Sequence, residues 1–188
     1  MLAMGATGCR SAKPALNGAG AATSEVQSEL KMTKMRSQSF TENGLEWELE
    51  APFGEVFSRR NLMRLKMLTV QLFDKGQKST DITARQGIMS TGPQTMIDGN
   101  HDQSLFGLKL EPGDMHLSGD VVMISTDGSK LTTDWVHYHK KTDTVTSTAP
   151  VKVERQDSIT HGVGMEASAD MSRLHIFNET LLIPEKKN

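Results

Sequence analysis

The sequence is short of four things: excess positive charge, cysteine, aromatic side chains and long apolar runs. Lys and Arg number 21 against 23 Asp and Glu over 188 residues, a formal charge of -2. Binding along a phosphate backbone needs a basic footprint, so this balance argues against a nucleic-acid partner. The single cysteine, Cys9, leaves neither an internal disulfide nor a thiolate metal cluster. The longest interior apolar run is Val121-Val122-Met123-Ile124, far below the roughly 20 residues of a membrane-spanning helix. Aromatics make up 5% of the chain, and Tyr138 with two tryptophans is too small a set for a sugar-stacking platform. Methionine is the exception at 12 residues. Its flexible, polarizable side chain serves as ordinary core filler or as an adaptable apolar surface.

From Phe40 onward the apolar residues alternate with polar ones. In Leu45-Glu46-Trp47-Glu48-Leu49-Glu50-Ala51, side chains of period two put a greasy face opposite Glu46, Glu48 and Glu50, which read as a solvated strand face. The same alternation marks strands at Leu68 to Leu72, Ile82 to Ala84, Leu117 to Ile124, Val136 to Tyr138, Val151 to Val153 and Leu174 to Ile176. Turn chemistry separates them: Asp74-Lys75-Gly76, Thr91-Gly92-Pro93, Asp98-Gly99-Asn100, Glu111-Pro112-Gly113-Asp114 and Asp127-Gly128. Arg59 to Lys66 is the one stretch considered for a short helix, although Asn61 to Leu65 reads either way. Strand and turn repeating in this manner predict an all-β sandwich, jelly roll or incompletely closed barrel.

The N-terminal region has a different composition. Residues 1–8 are small or apolar and end in Ala6-Thr7-Gly8 before Cys9. This resembles a bacterial lipobox, which implies cleavage ahead of Cys9 and lipidation of its thiol. Residues 9–36, rich in Ala, Gly, Ser and Asn at their start, read as a flexible tether. A folded domain is expected over 37–184, with a short tail at 185–188.

No catalytic constellation is legible. His137 and His139 would leave a strand on the same face and could share a metal, but no third ligand has a spacing that ties it to them. No metal site and no cofactor are expected. There is no G-x-S-x-G elbow, and Gly162-Val163-Gly164 lacks the strand-to-helix context of a phosphate loop. Asn178-Glu179-Thr180 matches a glycosylation sequon that has no meaning in a bacterial lipoprotein.

A longer pattern runs through the C-terminal half: Leu117-Ser118-Gly119-Asp120-Val121, Leu131-Thr132-Thr133-Asp134-Trp135-Val136-His137-Tyr138, Val145-Thr146-Ser147-Thr148-Ala149-Pro150-Val151, and Ile159-Thr160-His161-Gly162-Val163-Gly164-Met165. In order and spacing, and with Trp47-Glu48-Leu49-Glu50-Ala51 ahead of it, this resembles the LptC family of the lipopolysaccharide exporter. The resemblance implies a twisted β-jelly roll open along one side, with an apolar groove for lipopolysaccharide acyl chains. It implies a periplasmic, non-enzymatic carrier held at the inner membrane by a lipid anchor or a truncated transmembrane helix. Carried onto this chain, the groove is lined by Trp47, Leu49, Val70, Leu72, Ile82, Ala84, Val121, Met123, Val136, Tyr138, Val151, Val153, Val163, Met165, Leu174 and Ile176. Asp134 is read as marking a turn or strand mouth.

The resemblance also implies partners. An edge around Gln38, Ser39, Phe40 and Thr41 would meet LptF and LptG, which work with the LptB ATPase. The edge around Arg173, Leu174, His175, Ile176, Phe177 and Asn178 would meet LptA by strand addition. The chain has no G-x-x-x-x-G-K-[ST] loop of its own, which fits the passive side of such a machine. Two other readings compete: an LptA-like periplasmic bridge, and a carbohydrate-binding or structural lipoprotein of the cell envelope.

Overall fold

The structure, a computed structural model, describes residues 28–93 and 110–182. Cys9, residues 1–27 and the Asp98-Gly99-Asn100 turn lie outside the described residues. Ten antiparallel strands make one sheet: β1 (Leu30–Thr41), β2 (Gly44–Phe57), β3 (Leu62–Asp74), β4 (Gln77–Ser90), β5 (Met115–Ser125), β6 (Lys130–His139), β7 (Thr144–Arg155), β8 (Ser158–Ser168), β9 (Leu174–Ile176) and β10 (Thr180–Leu182). Neighbours in sequence pair from β1 to β8, and both short last strands pair with β8. The sheet does not close into a barrel among the described residues, so β1 stands at one end and β9 with β10 at the other.

Tight turns join the strands. Lys75 and Gly76 both have positive φ, 49° and 77°, between paired Asp74 and Gln77. Two such residues build the hairpin turn whose twist matches its flanking strands. At Asp127-Gly128, the Asp127 carboxylate accepts hydrogen bonds from the Ser125 hydroxyl and the Ser129 N–H. No helix among the described residues is long and apolar enough to cross a membrane.

The stretch considered for a short helix, Arg59 to Lys66, is a turn followed by a strand. Ser58–Arg60 forms a single 3₁₀ turn, Asn61 closes it in a left-handed conformation, and Leu62 begins β3. Leu62 and Leu65 are buried in that strand. The domain also starts earlier than residue 37, because β1 begins at Leu30 and runs the whole length of β2. Charged Lys31, Lys34 and Arg36 on this edge strand obscure the alternation that would have marked it.

Every long strand is interrupted at about the same level. Lys34, Pro52 and Met67 form a row across β1, β2 and β3, and Lys34 and Met67 take positive φ. Pro52 has no N–H for the ladder. Register shifts continue the row between Thr83 and Gln86, Ser118 and Val121, Thr133 and His137, and Ser147 and Pro150. Bulges bend strands and increase their twist, so a belt of them rolls the sheet and folds its apolar face onto itself. The first strands then cover the last. The Thr80 hydroxyl on β4 donates to the Ala169 carbonyl beyond β8, at 2.8 Å, and the Lys140 ammonium reaches the Ser39 hydroxyl at 2.9 Å and the Glu46 carboxylate at 3.1 Å.

Candidate functional site

The inner face of the rolled sheet is the candidate site. Alternation sends Trp47 and Leu49 inward from β2, Val70 and Leu72 from β3, and Ile82 and Ala84 from β4. Val121 and Met123 follow from β5, Val136 and Tyr138 from β6, Val151 and Val153 from β7, Met165 from β8 and Ile176 from β9. All are buried in one continuous cluster, and Leu174 packs half-buried against it.

Val163 is the exception and a correction. It lies on the outer surface at 51% exposure. Val163 pairs with Pro150 and Met165 with Ser147, which leaves Gly164 facing two residues of β7. That two-against-one pairing is a bulge in β7, and Gly164 opposite it, with φ at +84°, turns the β8 backbone so that Val163 and Met165 leave opposite faces.

The same inner face holds Leu65, Leu68, Met89, Met115, Leu117, Leu131 and Val145, which the sequence reading left out. Most were in plain view as further members of alternating runs. Leu65 was not, because the kink at Met67 separates it from Leu68 by three residues, which regular alternation places on opposite faces. Among the described residues, these side chains are buried against one another. Clefts that open on the surface among the described residues include one of about 550 Å³ beside the belt, with Asp120, Thr132, Asp134, Lys152 and His161, and one of about 430 Å³ with Lys31, Met32, Phe53 and Arg64.

Polar groups gather at the rim. The Tyr138 hydroxyl donates to Asp143 at 3.2 Å. Burial, with Asp143 and Glu46 nearby, pushes the Tyr138 pKa well up, so the phenol stays protonated. Burial likewise raises Asp143, partly opposed by that hydrogen bond. Buried without a hydrogen-bond partner among the described residues, the Trp47 indole N–H remains unsatisfied. The carboxylate row on β2 is less solvated than its spacing suggests. Glu48 accepts from Arg36 and Gln38, which hold its pKa down, and Glu46 accepts from Ser39 and faces Lys140. Glu50 alone of the three is exposed.

A second polar cluster lies on the other side of β6. His137 and His139 stack at 4.1 Å between ring centroids, and Asp114, from the turn before β5, approaches both. That turn has a Glu111 carbonyl to Asp114 N–H bond with Gly113 at φ +88°, as Pro112-Gly113 requires. Burial lowers the pKa of His116 and of His137; the His139 charge adds to the second shift and Asp114 opposes it.

The two predicted edges fall where the sheet ends. Gln38, Ser39, Phe40 and Thr41 close β1, and Arg173 to Asn178 surround β9. Gly162 and Gly164 explain how the last strands lie so close to β8. A Cβ on Gly162 would strike the Ile176 side chain and come within 2.7 Å of the Phe177 carbonyl, and one on Gly164 would meet the Phe177 ring at 2.9 Å.

Comparison with known proteins agrees with this architecture. A family described as lipopolysaccharide-assembly, LptC-related, matches residues 8–100 and 109–180. Curated protein sequences gave no significant match. Among solved structures the chain is similar to LptH, the LptA-homologous periplasmic component of the lipopolysaccharide transport device from Pseudomonas aeruginosa. The identity is 11% and the TM-score 0.52, over 74% of this chain and 95% of that one. This likeness establishes the fold as an LptA-like β-jelly roll, and the family match over most of the sequence makes the chain a member of the LptC-related family of lipopolysaccharide assembly.

Proposed function

We propose that this protein carries lipopolysaccharide across the periplasm by sheltering acyl chains on its inner apolar face, taking them from the inner-membrane complex and passing them to LptA. The family is one of non-enzymatic carriers in a periplasmic transport bridge. The observation that carries the finer reading is the inner face itself, one apolar surface shared by strands from β2 to β9.

Because the side chains of that face bury one another, an acyl chain reaches them only when its two halves part. The open edge between β1 and the last strands supports such a motion, since no ladder closes the sheet there among the described residues. Buried Met35, Met89, Met115, Met123 and Met165 support it too, because unbranched thioether side chains repack more readily than β-branched ones. The unsatisfied Trp47 N–H matches an acyl carbonyl as an acceptor.

Burying acyl chain gains about 0.8 kcal/mol per methylene, so one long chain gains on the order of 10 kcal/mol over water. A bilayer offers nearly the same gain, so transfer from membrane to protein is close to neutral and acquires direction only from an outside source. The LptB ATPase acting through LptF and LptG is that source. In this reading β1 receives the inner-membrane partners, the β9 edge receives LptA by strand addition, and lipidated Cys9 holds the tether at the membrane.

A photo-crosslinking amino acid at Met123, compared with one at Ile124, tests the groove. Met123 is buried inward and Ile124 is 44% exposed on the outer face of the same strand. Lipopolysaccharide adducts are expected at position 123 only. Equal adducts at both positions, or none at 123 in a folded protein, overturn the reading.

A further inference from the structure

The Asp114, His137 and His139 cluster is separate from the acyl face, and no step of carriage uses it. We infer that these three residues form a binding site for a divalent transition-metal ion on the outer face of the jelly roll. The His137 Nε2 lies 3.6 Å from Asp114 Oδ2, His139 Nδ1 lies 3.9 Å from the same oxygen, and all three donor atoms fall within 4.8 Å of one another. Metal bonds of about 2.0 to 2.2 Å in tetrahedral geometry place donors roughly 3.3 to 3.6 Å apart. The cluster therefore needs only a modest contraction, with the stacked His139 ring turning so that both imidazole lone pairs aim at one point.

Three features show a site already supported from behind. Asp114, whose side chain is 5% exposed, has its carboxylate fixed by two backbone donors, Glu111 N–H at 3.1 Å and Lys140 N–H at 3.0 Å. His139 Nε2 is 3.1 Å from the Thr146 hydroxyl. With the ring proton on Nε2 directed at Thr146, the Nδ1 lone pair is left for a metal, which is how outer partners usually select the tautomer of a ligating histidine. His137 is nine-tenths buried, yet its Nε2 has no hydrogen-bond partner among the described residues. A buried ring nitrogen left unsatisfied is costly, and a bound cation removes that cost.

The donor set selects the class of ion. Two imidazoles and one carboxylate suit zinc, nickel or copper, whereas calcium and magnesium take oxygen ligands. His139 is 38% exposed, which supplies an entry path and room for a water to complete the coordination. Asp114 belongs to the turn leading into β5 and both histidines to β6, so the ion clamps that turn to the sheet.

The test uses the full chain, tag-free, stripped of metal and carrying Cys9→Ser to remove the thiol. Calorimetric titration with zinc or nickel is expected to show one equivalent bound, with a rise in melting temperature and shifted ring resonances of His137 and His139. His139→Ala, at a part-exposed position that the fold tolerates, abolishes binding at one equivalent. Thr146→Val weakens it by about tenfold, and His161→Ala and His175→Ala, on outer surfaces elsewhere, leave it unchanged. Absence of stoichiometric binding overturns the inference, as does equal binding by His139→Ala or equal binding of magnesium. Any of these results reduces the cluster to a structural His–Asp contact without touching the carrier reading, which the crosslinking experiment tests on the opposite face.

Discussion

At the residue scale, Asp143 stands out as a carboxylate whose neighbourhood resists its ionisation. Burial raises its pKa, and the nearby charges of Glu46, Asp170 and Asp74 add to that. A carboxyl whose folded pKa lies above its unfolded value contributes stability that is complete at low pH and is lost as pH rises through the folded value. Asp143→Asn keeps an oxygen to accept the Tyr138 hydroxyl and suits the left-handed backbone there, at φ 51°. The variant is expected to melt higher than the native protein at pH 7, with the difference shrinking towards pH 4. Paired thermal melts across that range check it; a difference that grows on acidification contradicts the assignment. Carboxylates such as Glu48 act in the opposite sense, since hydrogen bonds from Arg36 and Gln38 lower its pKa and their stabilisation is lost as pH falls. Comparing variant with native protein cancels that background.

At the element scale, the close contact between β8 and the last strands depends on missing side chains. Gly162→Ala forces a methyl against Ile176 and the Phe177 carbonyl, and backbone atoms cannot step aside as a flexible side-chain end can. The expected result is faster hydrogen exchange over residues 174–182, with protection of β2 to β6 retained. If the edge carries strand addition, LptA binding falls in parallel. Unchanged exchange in that segment contradicts the packing argument.

The belt of bulges belongs to this scale as well, and it shows which parts of each element were readable. Strands such as Trp47 to Ala51 and Leu68 to Leu72 declared themselves by alternation, because one wet and one greasy face leave no other pattern. Val163 was placed on the wrong face because the turn of the backbone at Gly164 answers a bulge in β7, which is set by pairing and not by a local preference. Pro52 and Pro150 within strands were the available signals for the belt. For Asp114 no signal existed, since it stands 23 positions before His137 in the chain.

For the whole molecule, folding the sheet over itself depends on contacts between distant strands. Thr80 to Ala169 spans 89 residues and is buried. Thr80→Val keeps the shape but leaves the Ala169 carbonyl unsatisfied, a cost of about 1 to 3 kcal/mol. Chemical denaturation is expected to show a lower midpoint with an unchanged slope. A midpoint equal to that of the native protein shows that the layers are held by apolar burial alone.

The sequence by itself determined the class of this protein: an all-β chain whose alternating strands produce one continuous apolar face, in the pattern of the LptC-related family. Period-two patterning is local, so each strand carries its own evidence. Only the tertiary structure decided where the strands bend, which side Val163 faces, that β1 starts at Leu30, and that Asp114 meets His137 and His139. Those outcomes depend on pairing between strands far apart in the chain, and pairing is a property of the assembled sheet, set when bulges in one strand are matched against their neighbours.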